Sequence, residues 1–372
     1  MFKFGIEHEV AFLNQENQFI DFSTASFTQF KQIVDRLPVY DTDANQLVIG
    51  DAGIRVKRWY MEGLERFDPT GNLLTCLIKG LEIRTAPHST IMGAIDELTT
   101  SFRLLATEVA SEGFTPVLTS FHPYCTKFIP DPPFNAYEEE LLHLSPEDLS
   151  ALLSMLTYGP DLSISYAGLD TDTLIDMGRK LTYYSPYIVP FTFSSPFYAG
   201  RLWNGSSVRT FLRTGLRPAA LVFLEHPSEL LASNPSLTKL ARIPAEVGRI
   251  EFKACDSCDN FLIYAGMFTL LKGLILDTTL KGRASVPAMD LHQLSARQGF
   301  ANTRIAAGAQ EILQAVEVAL RNDDDLVLLD PLRKLLTTSE RPVDTLIATF
   351  QTTGSIETAL RKTYAQFKPI YI

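Results

Sequence analysis

The sequence predicts an α+β protein in which a largely antiparallel sheet is covered on one face by helices. Three observations carry this. Strand-like runs alternate irregularly with helix-like runs, with few strict strand–helix–strand repeats. Three of the strands are apolar on one side and charged on the other. A long amphipathic stretch between them has the period of a helix that lies on such a sheet.

The first strand is "KFGIEHEVAFL", Lys3 to Leu13. Side chains two apart share a strand face, so Phe4, Ile6, Val10 and Phe12 line one side and Glu7 and Glu9 the other. His8 falls on the apolar side, as a hydrogen-bonded core histidine. Further strands are expected at "GIRVKRWYM", "TCLIKGLEIRTAP", "FTPVLTSFHP", "DLSISYAG" and "VGRIEFKACD". "STIMGAIDELTTSFRLLATEVASEG" reads as a long helix capped by Ser89 or Thr90, with Ile91, Ile95, Leu98, Phe102, Leu105 and Val109 on one stripe. Gly113 ends it. His88 sits at the turn before it, in a structural role.

"SPEDLSALLSMLT", "DTLIDMGRKLTYYSPYIVPFTF", "NFLIYAGMFTLLKGLIL" and the region from Ala306 to Leu320 read as helices. "IPDPPFNAYEEE" reads as a Pro-rich surface loop, and "GRASVPAMDLHQLSARQGF" as a mobile loop. The aspartates of "RNDDDLVLLDP" cap a helix boundary; they lack the spacing of a calcium loop. No internal repeat or domain boundary stands out, so residues 1–372 are expected to form one catalytic domain.

The formal net charge is −10, so the molecule as a whole repels nucleic acid and anionic membrane surfaces. The longest apolar run begins at Phe261 and stops at Lys272, short of the roughly 20 residues a bilayer span needs. The N-terminus enters a strand without a signal-peptide layout. Four cysteines in a chain this long do not make a disulfide framework. A cytoplasmic protein without nucleic-acid or membrane partners is expected. The Cys255–Cys258 pair stands alone and reads as a strand end rather than a redox or zinc motif. Neither a GxxxxGK phosphate loop nor a G-x-S-x-G elbow occurs.

The first strand has two echoes. In "LEIRTAP" Glu82 and Arg84 share a face opposite Leu81 and Ile83. In "RIEFKACD" Arg249, Glu251 and Lys253 lie opposite Ile250 and Phe252. If the three strands lie in one sheet, Glu7, Glu9, Glu82 and Glu251 meet Arg84 and Lys253 on a common floor. Clustered carboxylates suit a hard divalent cation. Solvated faces with cross-strand ion pairs are the alternative.

Five blocks, "GIEHEV", "LEIRTAPH", "SFHPY", "SSPFYAGR" and "RIEFKACD", occur in the order found in the glutamate–cysteine ligase family 2 proteins, which this chain resembles from residue 4 to about residue 320. These are carboxylate–amine ligases with a glutamine-synthetase-like catalytic fold, a curved sheet with helices on its outer face. The resemblance implies ATP-dependent activation of the glutamate γ-carboxylate as an acyl phosphate, then attack by an amine; with cysteine as the amine, this is a step of glutathione biosynthesis. It implies Mg²⁺ or Mn²⁺ held by Glu7, Glu9, Glu82 and Glu251, and a catalytic role for Glu82 and Arg84. Arg84, Lys253 and His122 would meet the nucleotide, and Arg201 and Arg209 would clamp the amino acid. Arg297 and Arg304 are weaker phosphate candidates. Homo-oligomers are common in the family. One departure stands out: the family's "HVHVG" histidines fall on Ser163 and Ser165 here. "WNGSSVR" after Arg201 also departs from the family wording. A guanidino-kinase-like phosphoryl transferase on the same sheet, or a degenerate homologue that binds without turnover, are the rival readings.

Overall fold

In the computed structural model, residues 1–41, 43, 57–144, 148–338, 341–364 and 367 are described. Gly53–Val56 of the second expected strand and Ser145–Glu147 of "SPEDLSALLSMLT" lie outside them.

The strands are β1 (Phe2–Leu13), β2 (Phe19–Ile20), β3 (Trp59–Phe67), β4 (Leu73–Arg84), β5 (Thr115–Val117), β6 (Pro160–Tyr166), β7 (Phe197–Tyr198), β8 (Arg201–Leu202), β9 (Ala220–Leu224), β10 (Thr238–Leu240) and β11 (Arg249–Phe252). The main sheet runs β10-β9-β11-β6-β1-β4-β3, with β2 and β5 paired to the far end of β1. Every pair in it is antiparallel except β9–β10. The fold is therefore the expected α+β class, with an antiparallel curved sheet and helices packed on its outer face.

The three half-apolar strands lie close together. β1 sits between β4 and β6, and β11 is the next strand out. Their apolar side chains, Phe4, Ile6, Val10, Leu81, Ile83, Leu162, Ile164, Ile250 and Phe252, are all buried in one core. Against them pack the helices Ile91–Ser111, Thr171–Ile188 and Phe261–Leu276. The last is apolar all round because it is buried on nearly every side. Thr90 caps the first, accepting from the Gly93 amide at 3.1 Å. His8 is fully buried, as read from the sequence, between the hydroxyls of Tyr264 (3.1 Å) and Tyr364 (2.8 Å).

Several local expectations are corrected. The segment read as a mobile loop contains the helix Met289–Gln298, whose His292 is buried against Ser185. The Pro-rich loop gives way to a helix, Ala136–Leu144. "DLSALLSML" winds as a 3₁₀ helix rather than an α-helix. In the first case burial of His292, Ser295 and Ala296 outweighs local Gly and Pro content, which is only a weak prior; in the second the helix begins after the prolines. The aspartate run caps as expected: Asp323 accepts from the Asp325 amide at 3.0 Å, and Lys272 bridges both side chains.

Candidate active site

The polar face of the sheet is assembled by register. Glu7 lies opposite Arg84 of β4 on one side and Asp161 of β6 on the other. Glu9 lies opposite Glu82, and Glu82 opposite Tyr60 of β3. Glu251 lies opposite Ser163, which lies opposite Gly5. Period-2 alternation then points all these side chains the same way.

Among the described residues, the floor holds two carboxylate triads. One is Glu7, Asp161 and Glu251; the other is Glu9, Glu62 and Glu82. In each, one oxygen per residue lies within 4.8 Å of the others. The four glutamates expected as metal ligands are thus all on the floor, divided two and two. Asp161 and Glu62 complete the triads and were missed in the sequence. Both had a signal: Asp161 alternates with Ser163 and Ser165, and Glu62 alternates with Tyr60 in "WYMEGL".

Cations sit between and around the triads. The Arg84 guanidinium stacks on the Tyr60 ring, 3.9 Å from its centroid, and donates to the Tyr60 hydroxyl at 2.7 Å. It also donates to Glu82 at 3.1 Å and lies 3.8 Å from Glu7, so it touches both triads. Lys253 bridges Asp161 and Glu251. Arg249 lies 3.5 Å from Glu251.

Lys79 was also missed, because alternation from Arg84 puts it on the apolar side. A β-bulge in the β3–β4 pairing, between Glu62/Gly80 and Gly63/Ile78, reverses that phase. Lys79 therefore points onto the floor. It bonds Glu9 at 2.9 Å, lies 3.4 Å from Glu62, and donates to the carbonyls of Ser154 and Thr157. The glycine beside it is required: a Cβ on Gly80 would come 2.3 Å from the Val10 carbonyl oxygen.

The charges divide unevenly. Burial opposes ionisation of Glu7, but Arg84, Arg249 and Lys253 outweigh it and hold its carboxyl at about 2. Burial pushes Glu9 up to about 7; Lys79 opposes this, and Glu62 and Asp161 add to it. Burial and the charge of Glu7 push Glu82 well above the ordinary carboxylate range. Burial also raises Glu251, against the pull of Lys253. Among the described residues, the Glu9–Glu62–Glu82 triad faces two cations, Lys79 and Arg84, and the other faces three, Arg84, Arg249 and Lys253.

Two cavities open onto this floor, and Glu7 lines both. One, about 310 Å³, is lined by Lys3, Gly5, Glu7, Arg84, Ser163, Ser165 and Arg249, among others. The other, about 220 Å³, is lined by Glu7, Glu9, Tyr60, Glu62, Glu82, Asp161, Arg209 and Lys253, among others.

The remaining candidates are placed differently. Arg209 lines the second cavity but is buried. Its guanidinium donates to the carbonyls of Lys253 (3.0 Å), Ala254 (3.1 Å) and Cys255 (2.5 Å), which makes it a brace for the end of β11. Arg201 is exposed on the β7–β8 hairpin and lines neither cavity. His122 is buried away from the floor. Its Nδ1 accepts from the amides of Tyr124 (3.1 Å) and Cys125 (2.8 Å), so Nε2 carries the proton and donates to Asp21 at 2.9 Å. The ring is fully used in holding that turn. Arg297 stacks over Phe211. Cys255 and Cys258 are buried free thiols, and burial raises both above the ordinary thiol range. Asp256 between them accepts from Ser194 and Ser195, tying two of the five sequence blocks together in the interior.

No family model matches the chain. A curated relative from Roseiflexus castenholzii, "Putative glutamate--cysteine ligase 2", is 24% identical over 213 residues, 53% of this chain and 54% of the relative. The match thus spans about half the length of each. Among solved structures, a bifunctional glutathione synthetase from Pasteurella multocida superposes with a TM-score of 0.61 at 12% identity, over 99% of this chain and 52% of that one. A glutamate–cysteine ligase from Francisella tularensis, solved in complex with AMP, gives 0.58 at 13% identity, over 100% of this chain and 89% of that one. The chain accordingly has the glutamine-synthetase-like fold shared with glutamate–cysteine ligases, and its sequence resembles family 2 of that group.

Proposed function

We propose that residues 1–372 form one catalytic unit, an ATP-dependent carboxylate–amine ligase. It activates the γ-carboxylate of glutamate, or a related acid, as an acyl phosphate and joins it to an amine, with cysteine the acceptor suggested by the relatives. The observation that carries this reading is the pair of carboxylate triads on one rigid sheet face with Arg84 wedged between them.

Phosphoryl transfer from ATP to a carboxylate brings two anions together, so it needs fixed positive charge and exact alignment of the reacting oxygens. The oxygen-only donor sets suit Mg²⁺ or Mn²⁺, which would neutralise and orient the phosphates. Glu9 and Glu82 in one triad, and Glu7 and Glu251 in the other, are the ligands proposed from the family pattern. Arg84 is held by Tyr60, Glu82 and Glu7 at a fixed angle, where its planar fork can meet a phosphate or carboxylate. Lys253 supplies a second cation beside it. Arg209 acts through the backbone of Lys253, and Arg201 and His122 remain candidates from the family pattern alone.

The test is ADP release with Mg²⁺ or Mn²⁺, glutamate and a panel of amines, beside Glu82→Gln. Amine-dependent ADP release that the variant loses supports a ligase. ADP release that needs a carboxylate or guanidine but no amine supports a phosphoryl transferase. Ser163 and Ser165, in place of the family histidines, favour a second reading: a homologue that binds nucleotide without turnover. Metal-dependent ATP binding with no ADP release across the panel would select it.

A further inference from the structure

Building on the metal-ligand reading above, we propose that Asp161 is the third ligand of a divalent cation held by Glu7 and Glu251, so that this site is all-oxygen in this chain. Asp161 stands directly opposite Glu7 across the β1–β6 ladder. Glu251 enters from β11, whose register places it diagonal to Asp161. One oxygen from each lies within 4.8 Å of the other two. An octahedral ion with oxygens at about 2.1 Å keeps its ligands roughly 3.0–4.2 Å apart, so small side-chain rotations close the set.

A second observation points to a ligand at the same place. Ser163 lies between Gly5 and Glu251 in the ladder, is 9% exposed, and its Oγ has no hydrogen-bond partner among the described residues. A buried hydroxyl without a partner is costly. It faces the cavity that Glu7 also lines. Gly5 opposite it carries no side chain and lines the same cavity, so the residue across the ladder does not cover Ser163. The hydroxyl is placed to meet a water or ligand oxygen carried by the ion.

The charges are consistent with the exchange. The resemblance puts neutral histidines at positions 163 and 165, whereas Asp161 is an anion. Lys253, which pairs with Asp161 as well as Glu251, balances the extra charge. A donor set of three carboxylates without imidazole or thiolate favours Mg²⁺ or Mn²⁺ over Zn²⁺. The serines at 163 and 165 thus change which ion the site prefers without removing the site.

The test is Mn²⁺ alone, titrated into the full chain and read by the electron paramagnetic resonance of the free ion. Wild type is expected to bind two ions per chain. Asp161→Asn should weaken one of them at least about tenfold, judged against the loss from merely disturbing a ligand's outer partners, and Glu62→Gln should weaken the other. Ser163→His leaves Asp161 in place and so guards against a folding failure. Its bound Mn²⁺ should show nitrogen modulation from an imidazole, absent in wild type, and its Zn²⁺ affinity should rise. Two unchanged ions in Asp161→Asn, or one wild-type ion lost only in Glu62→Gln, would overturn the assignment while leaving a metal reading of the floor intact. No nitrogen modulation in Ser163→His would place position 163 outside the site and overturn it as well. No Mn²⁺ binding to wild type at millimolar concentration would bring down the metal reading itself and this inference with it.

Discussion

Glu9→Gln is expected to stabilise the metal-free protein at alkaline pH while it weakens metal binding. In the floor, the Lys79 ammonium and the Gly159 amide both donate to one oxygen of Glu9, at 2.9 Å and 3.1 Å. A glutamine can present its carbonyl oxygen there and keep both bonds. Its NH₂ then takes the place of the other oxygen, so a neutral donor replaces an anion beside Glu62 and Glu82. Lys79 keeps Glu62 and the carbonyls of Ser154 and Thr157. The size of the effect follows from the shift of Glu9 from 4.5 to about 7. That shift corresponds to on the order of 3 kcal/mol between its two protonation states.

The sign follows from the direction of the shift. A carboxyl raised by folding contributes stability below its unfolded pKa of 4.5, and that contribution is lost as pH rises through about 7. At pH 8 in EDTA, Glu9→Gln should therefore gain about 1–3 kcal/mol, the upper value being full relief of that cost. At pH 5, where wild-type Glu9 is protonated in the folded protein, the gain should fall below about 1 kcal/mol. Added Mn²⁺ should stabilise wild type more than the variant, since an ion needs the ionised carboxylate. Urea unfolding at the two pH values, with and without Mn²⁺, measures all four quantities. A variant less stable than wild type at pH 8 in EDTA would refute the picture of an under-neutralised triad, as would a gain that does not depend on pH.

Three further outcomes are expected. Lys79→Met removes a buried cation from beside Glu9 and Glu62 and should cost about 3–5 kcal/mol in EDTA, with partial recovery in Mn²⁺; full stability in EDTA would show that the lysine does not hold the triad. His8→Phe takes the His8 partner from the hydroxyls of Tyr264 and Tyr364, of which Tyr264 keeps the Cys258 amide at 2.7 Å, and should cost about 1–3 kcal/mol at pH 7. Burial holds His8 at about 3, so wild type loses stability as pH falls below 6.5, and the variant should lack that part of the acid-side slope. Native protein should expose one thiol to an aromatic disulfide reagent, Cys125, because Cys76, Cys255 and Cys258 are buried; rapid reaction of a second thiol would show the Cys255–Cys258 pair to be accessible.

By itself the sequence determined the alternation of β1, β4 and β11, and hence which residues are apolar and which are charged on each strand. That information is local. Cβ direction reverses at every strand residue, so Glu7 and Glu9, or Glu82 and Arg84, must share a face whatever the strand packs against. The core position of His8 was legible for the same reason. Only the tertiary structure decided which carboxylates meet. Strand order places β6 between β1 and β11, and register sets Asp161 across from Glu7 and Tyr60 across from Glu82. Register depends on pairing between residues far apart in the chain, which local periodicity does not encode. The same holds for Lys79, whose side is decided by a bulge against β3, and for Arg209 and His122, whose donors are consumed by carbonyls and carboxylates that fold in from elsewhere. The alternation made a charged floor readable, and the packing of distant strands turned it into two triads with an arginine between them.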